Sequence, residues 1–351
     1  MSKKPMVTMA LGIKRSFVQR DIEILSSLDC RLRLIQTKPS KHWVGFLLGR
    51  IIELFMCLWF VAKSKRVISW FNDYHSFFLI LLAKLFSVKS LILVGGYDAI
   101  SNSKIRYGLF LKPNLRQILA RWSYRHCSNI WVVHKSLAVG CPYANKQPHI
   151  NSGIKYFLPH LKTPIVEVPT GYDSNFWKPS GNPKESIVLT IGIIEDKRTY
   201  QLKGIDVFIS LAKRLKEFRF IVVGINQHLV HSLKTPKPKN LEYHPRCSEK
   251  TLREYYQKSK FYFQGSSNEG LPNVLCEAML CECIPIARGV FGMPDIIGST
   301  GYLFNDSAPL EKTVEFIHSA NMNLGSDARK RIIKQYPISK RIDAFNTFLQ
   351  S

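Results

Sequence analysis

Short apolar runs alternate with helix-length amphipathic stretches along the whole chain, and the alternation restarts once, after the Pro- and Gly-rich break from Trp177 to Glu185. That alternation is the signature of parallel α/β units, whose sheets carry helices on both faces. In the first half it predicts strands at Met6–Leu11, Arg31–Gln36, Val67–Phe71, Ser90–Val94, Asn129–Val133 and Thr163–Pro169, with helices over Val18–Leu28 and Phe77–Phe86. In the second half it predicts strands at Ser186–Ile193, Phe218–Val223, Phe261–Gln264, Ile284–Ala287 and Gly301–Phe304. Helices are expected over Gly204–Lys216, Leu252–Ser259 and Leu271–Leu280, and from Leu310 onward. At 351 residues the chain outgrows a single hydrophobic core. Two doubly wound α/β domains around a central cleft are expected, with ligands at the carboxyl ends of the strands.

Charge narrows the partners. Fifty Lys and Arg against 25 Asp and Glu leave a formal net charge of +25. Residues 1–175 hold 25 basic and 8 acidic side chains, a net of +17, so the excess sits in the first half. A basic face suits nucleic acid, an anionic membrane or an acidic small molecule. No nucleic-acid module is recognisable, and the aromatics fall on strands and helices rather than among a basic cluster. Val44–Ala62 is a 19-residue apolar stretch with Arg50 and Glu53 inside it. Two central charges argue against a simple span. A helix packed in the first domain is expected, or one that also touches the bilayer surface, with the basic run Lys63–Arg66 beside anionic lipid. No secretory signal is read at the start. The eight cysteines lack zinc-like spacing and are expected as buried thiols in a reducing compartment.

The strongest local signal is the 44-residue run Phe261–Phe304. A strand ends near Gln264, a polar loop follows, and a helix begins near Leu271 with Pro272 suited to its first turn. The amides of Gly270, Leu271 and Asn273 then face out of the helix N-terminus at the sheet edge, where a pyrophosphate is favoured. Gly270 leaves room for close approach. Glu277 lies about one and a half turns into the helix, where a carboxylate can accept from a ribose diol. Glu269 stands in the loop before the helix, within reach of a sugar beyond the phosphates.

"EGLPNVLCE", with seven residues between Glu269 and Glu277, followed by "GMPDII" and "GYLF", resembles the donor domain of glycosyltransferase family 4, the retaining group 1 enzymes of the GT-B fold. The stretch opening "SIVLTIGIIEDK" and leading to "KG" resembles the same domain's first strand and next helix, which implies that Lys203 contacts the donor phosphates. Members commonly carry an arginine after the strand's glycine, but Ile193 follows Gly192 here, so Lys197 or Arg198, expected in a longer loop, would supply the charge. In the first domain, Gly12 sits where the family has a glycine-bearing loop. Asp98, at a strand's carboxyl end, could bind an acceptor hydroxyl; Tyr172 and Asp173 read as structural.

The resemblance implies an acceptor-binding domain at 1–178, a nucleotide-sugar donor domain at 179–335, and a final helix at 336–351 returning to the first domain. The implied reaction moves a sugar from a nucleotide diphosphate sugar to a hydroxyl with retention. No D-x-D occurs, so no metal clamp and no cofactor beyond the donor substrate is expected. Lys203 and helix amides would stabilise the leaving diphosphate, and Glu269 would orient the donor sugar. The charge fits a lipid-linked saccharide acceptor at the cytoplasmic membrane face, as in lipopolysaccharide or capsule assembly. The alternatives are a nucleotide-sugar epimerase on the same fold and a non-catalytic basic protein that binds membrane or nucleic acid.

Overall fold

The computed structural model describes residues 4–36, 40, 42–145, 147–233 and 236–351. The chain divides into two compact units, Met1–Thr170 with Ser339–Ser351, and Gly171–Ile338. The sequence predicts boundaries at 178/179 and 335/336. The structure gives 171–178 to the second unit because the Asp173 carboxylate accepts the amides of Asn175 and Phe176, and Arg329 donates to the carbonyls of Ser174 and Trp177.

The first unit is built on a six-stranded parallel sheet in the order β2-β1-β3-β4-β6-β8. Its strands are β1 (Met6–Leu11), β2 (Arg31–Ile35), β3 (Arg66–Trp70), β4 (Lys89–Val94), β6 (Asn129–Val132) and β8 (Ile165–Glu167). A separate antiparallel pair, β5 (Ile100–Asn102) and β7 (Ile150–Ser152), was not foreseen. Helices α1 (Ser16–Ser27), α2 (Trp43–Val61), α3 (Tyr74–Leu85) and α4 (Leu115–His126) are followed, after β6, by the short helical turns α5 (Ser136–Val139), α6 (Pro142–Asn145) and α7 (Ile154–Phe157). Every residue of β3 is buried, as a central parallel strand requires. Helix α4 escaped prediction because its apolar residues are sparse; Asn114 caps it by accepting the amide of Gln117.

The second unit carries a six-stranded parallel sheet in the order β11-β10-β9-β12-β13-β14. Its strands are β9 (Glu185–Ile194), β10 (Arg219–Ile225), β11 (Leu241–His244), β12 (Ser259–Gln264), β13 (Ile284–Arg288) and β14 (Tyr302–Phe304). Around it stand α8 (Lys197–Leu202), α9 (Ile205–Arg214), α10 (Gln227–Ser232), α11 (Glu249–Lys258), α12 (Asn273–Leu280), α13 (Met293–Ile297), α14 (Leu310–Ser319) and α15 (Asn323–Gln335). Phe208, Phe220, Phe261 and Phe263 are fully buried in one continuous core. Seven cysteines are buried and Cys247 is half-buried.

Helix α2 has two unlike faces. Glu53, Cys57 and Val61 are buried inward. Arg50 pairs with Glu53 at 2.5 Å, and burial pushes the Glu53 carboxyl up to about 7 against the pull of that arginine. Outward lie Trp43, Leu47, Leu48, Ile51, Ile52, Phe55 and Trp59, with Trp43 74% exposed and Phe55 and Trp59 each 65% exposed. By length and composition α2 could cross a membrane, but its inward face belongs to a sheet-packed core with Ala10, Val67 and Leu79. One cation of the expected surface run is inside: Arg66, on β3, is buried and donates to the carbonyl of Phe348 at 2.9 Å.

The last helix, α16 (Ile338–Gln350), joins the first unit through Arg341. That guanidinium donates to both carboxylate oxygens of Asp21 at 2.6 and 3.1 Å and to the carbonyl of Val168 at 2.7 Å. Trp70 donates its indole N–H to the same carboxylate at 2.7 Å. Asp21 and Arg341 are both buried, so removing one partner strands a charge. Arg341→Ala is expected to cost about 3–5 kcal/mol, read by chemical denaturation; a loss below about 1 kcal/mol would show that the pair does not anchor α16.

Candidate functional site

In the second sheet the strand order reverses between β9 and β12, the topological switch point at which open α/β sheets bind ligands. Two connections meet there. After β9 the chain enters α8, then turns through Lys203 and Gly204 into α9. After β12 it runs through Gly265 and Glu269 to α12. Gly204 has a left-handed backbone, φ 67°, and a Cβ there would lie 2.4 Å from the carbonyl oxygen of Gly265. A Cβ on Gly265 would lie 2.8 Å from the carbonyl of Lys203. Glycine at both positions therefore lets backbone touch backbone. Ser267 donates its amide to the carbonyl of Leu202 at 3.0 Å and closes the contact.

This approach joins two of the residues singled out in the sequence. Lys203 donates Nζ to Oε1 of Glu269 in an ion pair, each side chain about one-fifth exposed at 21% and 22%. The lysine stem packs on Gly192, where a Cβ would lie 3.4 Å from three stem carbons. The cation and carboxylate are thus held at the strand ends with a face toward solvent. A diphosphate could engage the ammonium, and a sugar hydroxyl could donate to the carboxylate.

Helix α12 begins at Asn273, with Pro272 as its N-cap rather than inside its first turn. The Asn273 side-chain oxygen accepts from the Tyr172 hydroxyl at 2.9 Å, which ties the loop to the start of the unit. Tyr172 also donates its amide to Tyr336, consistent with a structural residue. Gly270 and Leu271 are buried in the turn leading to the helix. Glu277 stands one turn on, 4% exposed, with the Tyr256 hydroxyl 3.4 Å from its Oε2. Arg288, at the end of β13, was not singled out. It is buried, donates Nε to the carbonyl of Gly265 at 3.0 Å and pairs with Asp306. The signal available was a cation ending an otherwise apolar strand.

Two sequence expectations need correction. Lys197 and Arg198 are not in a long loop: they form the first turn of α8, because Asp196 and Thr199 make a capping box. Both are exposed, and neither joins the Lys203–Glu269 pair. Asp98 is not placed to hold an acceptor hydroxyl. It is fully buried, and its oxygens accept the amides of Gly96 and Asn72, each at 3.1 Å. It braces the turn after β4 against the loop after β3. Gly12 follows β1 with ordinary room, since a Cβ would lie 3.5 Å from the His75 ring.

The profile of the glycosyl transferases group 1 family matches residues 173–335, the stretch that carries this geometry. Match and fold together support a group 1 glycosyltransferase. No curated protein sequence matches the chain. Three solved structures illustrate the fold. Sucrose-phosphate synthase from Thermosynechococcus elongatus is 12% identical, covers 99% of this chain and 98% of its own, and has a TM-score of 0.76. The catalytic domain of starch synthase IV from Arabidopsis thaliana is 10% identical, covers 99% of each chain, and has a TM-score of 0.71. HepE from Anabaena, in complex with UDP, is 11% identical, covers 99% of each chain, and has a TM-score of 0.69. The chain thus has the GT-B architecture of two Rossmann-like units.

Burial raises the Asp98 carboxyl from 3.8 to about 6, and the amides of Gly96 and Asn72 limit the rise. The folded chain therefore holds this proton more tightly than the unfolded chain. Its contribution to stability is complete below about pH 4 and is lost as the pH rises past about 6. Asp98→Asn does not titrate, so from pH 4 to 7 the stability gap should move toward the variant by about 2 kcal/mol. Urea melts at both pH values measure the gap; a gap that stays constant shows that Asp98 is ionised throughout.

Proposed function

We propose that the chain transfers a sugar from a nucleotide diphosphate sugar to a hydroxyl of a lipid-linked saccharide, with retention and without a metal, in surface-polysaccharide assembly such as lipopolysaccharide or capsule. The observation that carries the donor half is the Lys203–Glu269 pair at the switch point, beside the start of α12. The ammonium takes the diphosphate, and the developing charge of the leaving group is met by Lys203 and the amides of Gly270, Leu271 and Asn273. Once Lys203 turns to the phosphates, Glu269 is released to orient the donor sugar. Glu277 holds the ribose. The solved structure of HepE with UDP-glucose, and that of starch synthase IV with ADP, lend the donor class by analogy of fold. The acceptor and the peripheral place at the cytoplasmic membrane face rest on the +17 of residues 1–175 and on the apolar outer face of α2.

Calorimetric titration with UDP, ADP and GDP tests the donor site. For whichever nucleotide binds, Lys203→Ala and Glu277→Ala should each weaken affinity about 10- to 150-fold, the worth of a charged hydrogen bond. Lys197→Ala and Arg198→Ala should change it less than about threefold, since both cations are exposed. Equal affinity of Lys203→Ala and the parent chain removes the phosphate role.

A further inference from the structure

A cavity of about 820 Å³ opens at the amino-terminal edge of the first sheet, far along the strands from Gly12 and the other carboxyl ends. The register explains its lining. Met6 lies opposite Arg31 across β1 and β2, and Val7 lies opposite Arg66 across β1 and β3, so the residues that open these strands converge. Lys4, Arg31, Lys63 and Lys65 line it. Among the described residues one carboxylate, Asp29, answers them by pairing with Lys4 at 3.1 Å. Four cations against one carboxylate leave a local net of +3, and all four cationic residues are exposed.

The cavity adjoins the C-terminal end of α2, since Ala62 and Lys63 line it. Lys63 follows the helix directly, and its ammonium stands 3.5 Å from the centre of the Trp59 ring, the last large aromatic of the exposed stripe. The stripe bears Trp at both ends and Leu, Ile and Phe between, and its inner face is held by the domain core. A helix anchored this way lies in an interface, with its apolar side in the acyl boundary and cations at headgroup depth.

We infer that the cavity of Lys4, Arg31, Lys63 and Lys65 seats the phosphate of an anionic lipid while the outer face of α2 lies in the same leaflet. The inference rests on the peripheral membrane reading above and adds to it a defined headgroup site. Charge complementarity selects the occupant: a protein partner would need only the apolar stripe, whereas an anionic bilayer presents acyl surface and phosphate together.

Co-sedimentation with vesicles tests it, using phosphatidylcholine alone and phosphatidylcholine with phosphatidylglycerol. The parent chain should bind both and prefer the anionic vesicles. Lys4→Gln/Arg31→Gln/Lys65→Gln should lose at least about tenfold in partitioning to anionic vesicles and keep its binding to neutral ones, since each cation near the surface matters individually. Lys104→Gln/Lys112→Gln/Lys162→Gln, equal in charge and exposed elsewhere on the unit, should lose less than about threefold. Phe55→Ser/Trp59→Ser should lose neutral-vesicle binding. If the two triple variants lose anionic binding equally, the field is diffuse and the headgroup site is wrong, while the membrane reading stands. If the parent chain ignores both vesicles, or forms a dimer that Phe55→Ser disrupts, the membrane reading falls and the site with it.

Discussion

The site in the second unit depends on a contact between backbones at Gly204 and Gly265. A methyl group at either position would meet a carbonyl oxygen at less than 3 Å, so the β9 and β12 connections would have to separate. Their contact carries Lys203 across the switch point to Glu269. The sequence interval between these two residues is long, and no local propensity brings them together. Parallel pairing of β9 with β12 does so, with Tyr262 opposite Leu189 setting the register. Preorganisation here is steric before it is electrostatic.

The first unit obeys a different constraint. Its central strands are buried on both faces, so helices must cover them. Helix α2 supplies cover with one side and leaves the other uncovered. A soluble helix with this composition would ordinarily bury its apolar surface or replace it with polar side chains. Glu53 turned inward, with Arg50 beside it, fixes which side faces the sheet despite the cost of burying a carboxyl. Across the sheet, Asp21 gathers Arg341 and Trp70 and fastens the C-terminal helix to the unit.

Much of the fold was legible in the residues. Strand β1 was placed residue for residue, and β2, β3 and β4 within one residue at each end, because buried parallel strands are continuous apolar runs. Strand β11, reading Leu-Glu-Tyr-His, was missed because an edge strand needs few apolar residues. Helix α8 was read as loop because its six residues have no apolar periodicity; Asp196 and Thr199 decide it through hydrogen bonds. Asp98 misled for a related reason. A carboxylate after a strand reads as a ligand-facing group, yet amides folded back from two loops consume it. Satisfying buried N–H groups is a tertiary demand that spacing does not encode.

The sequence by itself determined two α/β units, the start of α12 to within two residues with Glu269 and Glu277 on either side of it, and the basic excess of the first half, since these follow from local periodicity, spacing and composition. The tertiary structure alone decided that Lys203 pairs with Glu269 while Lys197 and Arg198 stand apart. It also decided that Arg66 is buried while Lys63 and Lys65 open onto a cavity with Lys4 and Arg31. The physical reason is the same in each case. Strand order and register choose which chain segments become neighbours, and neighbours choose whether a charge meets a partner, a core or water.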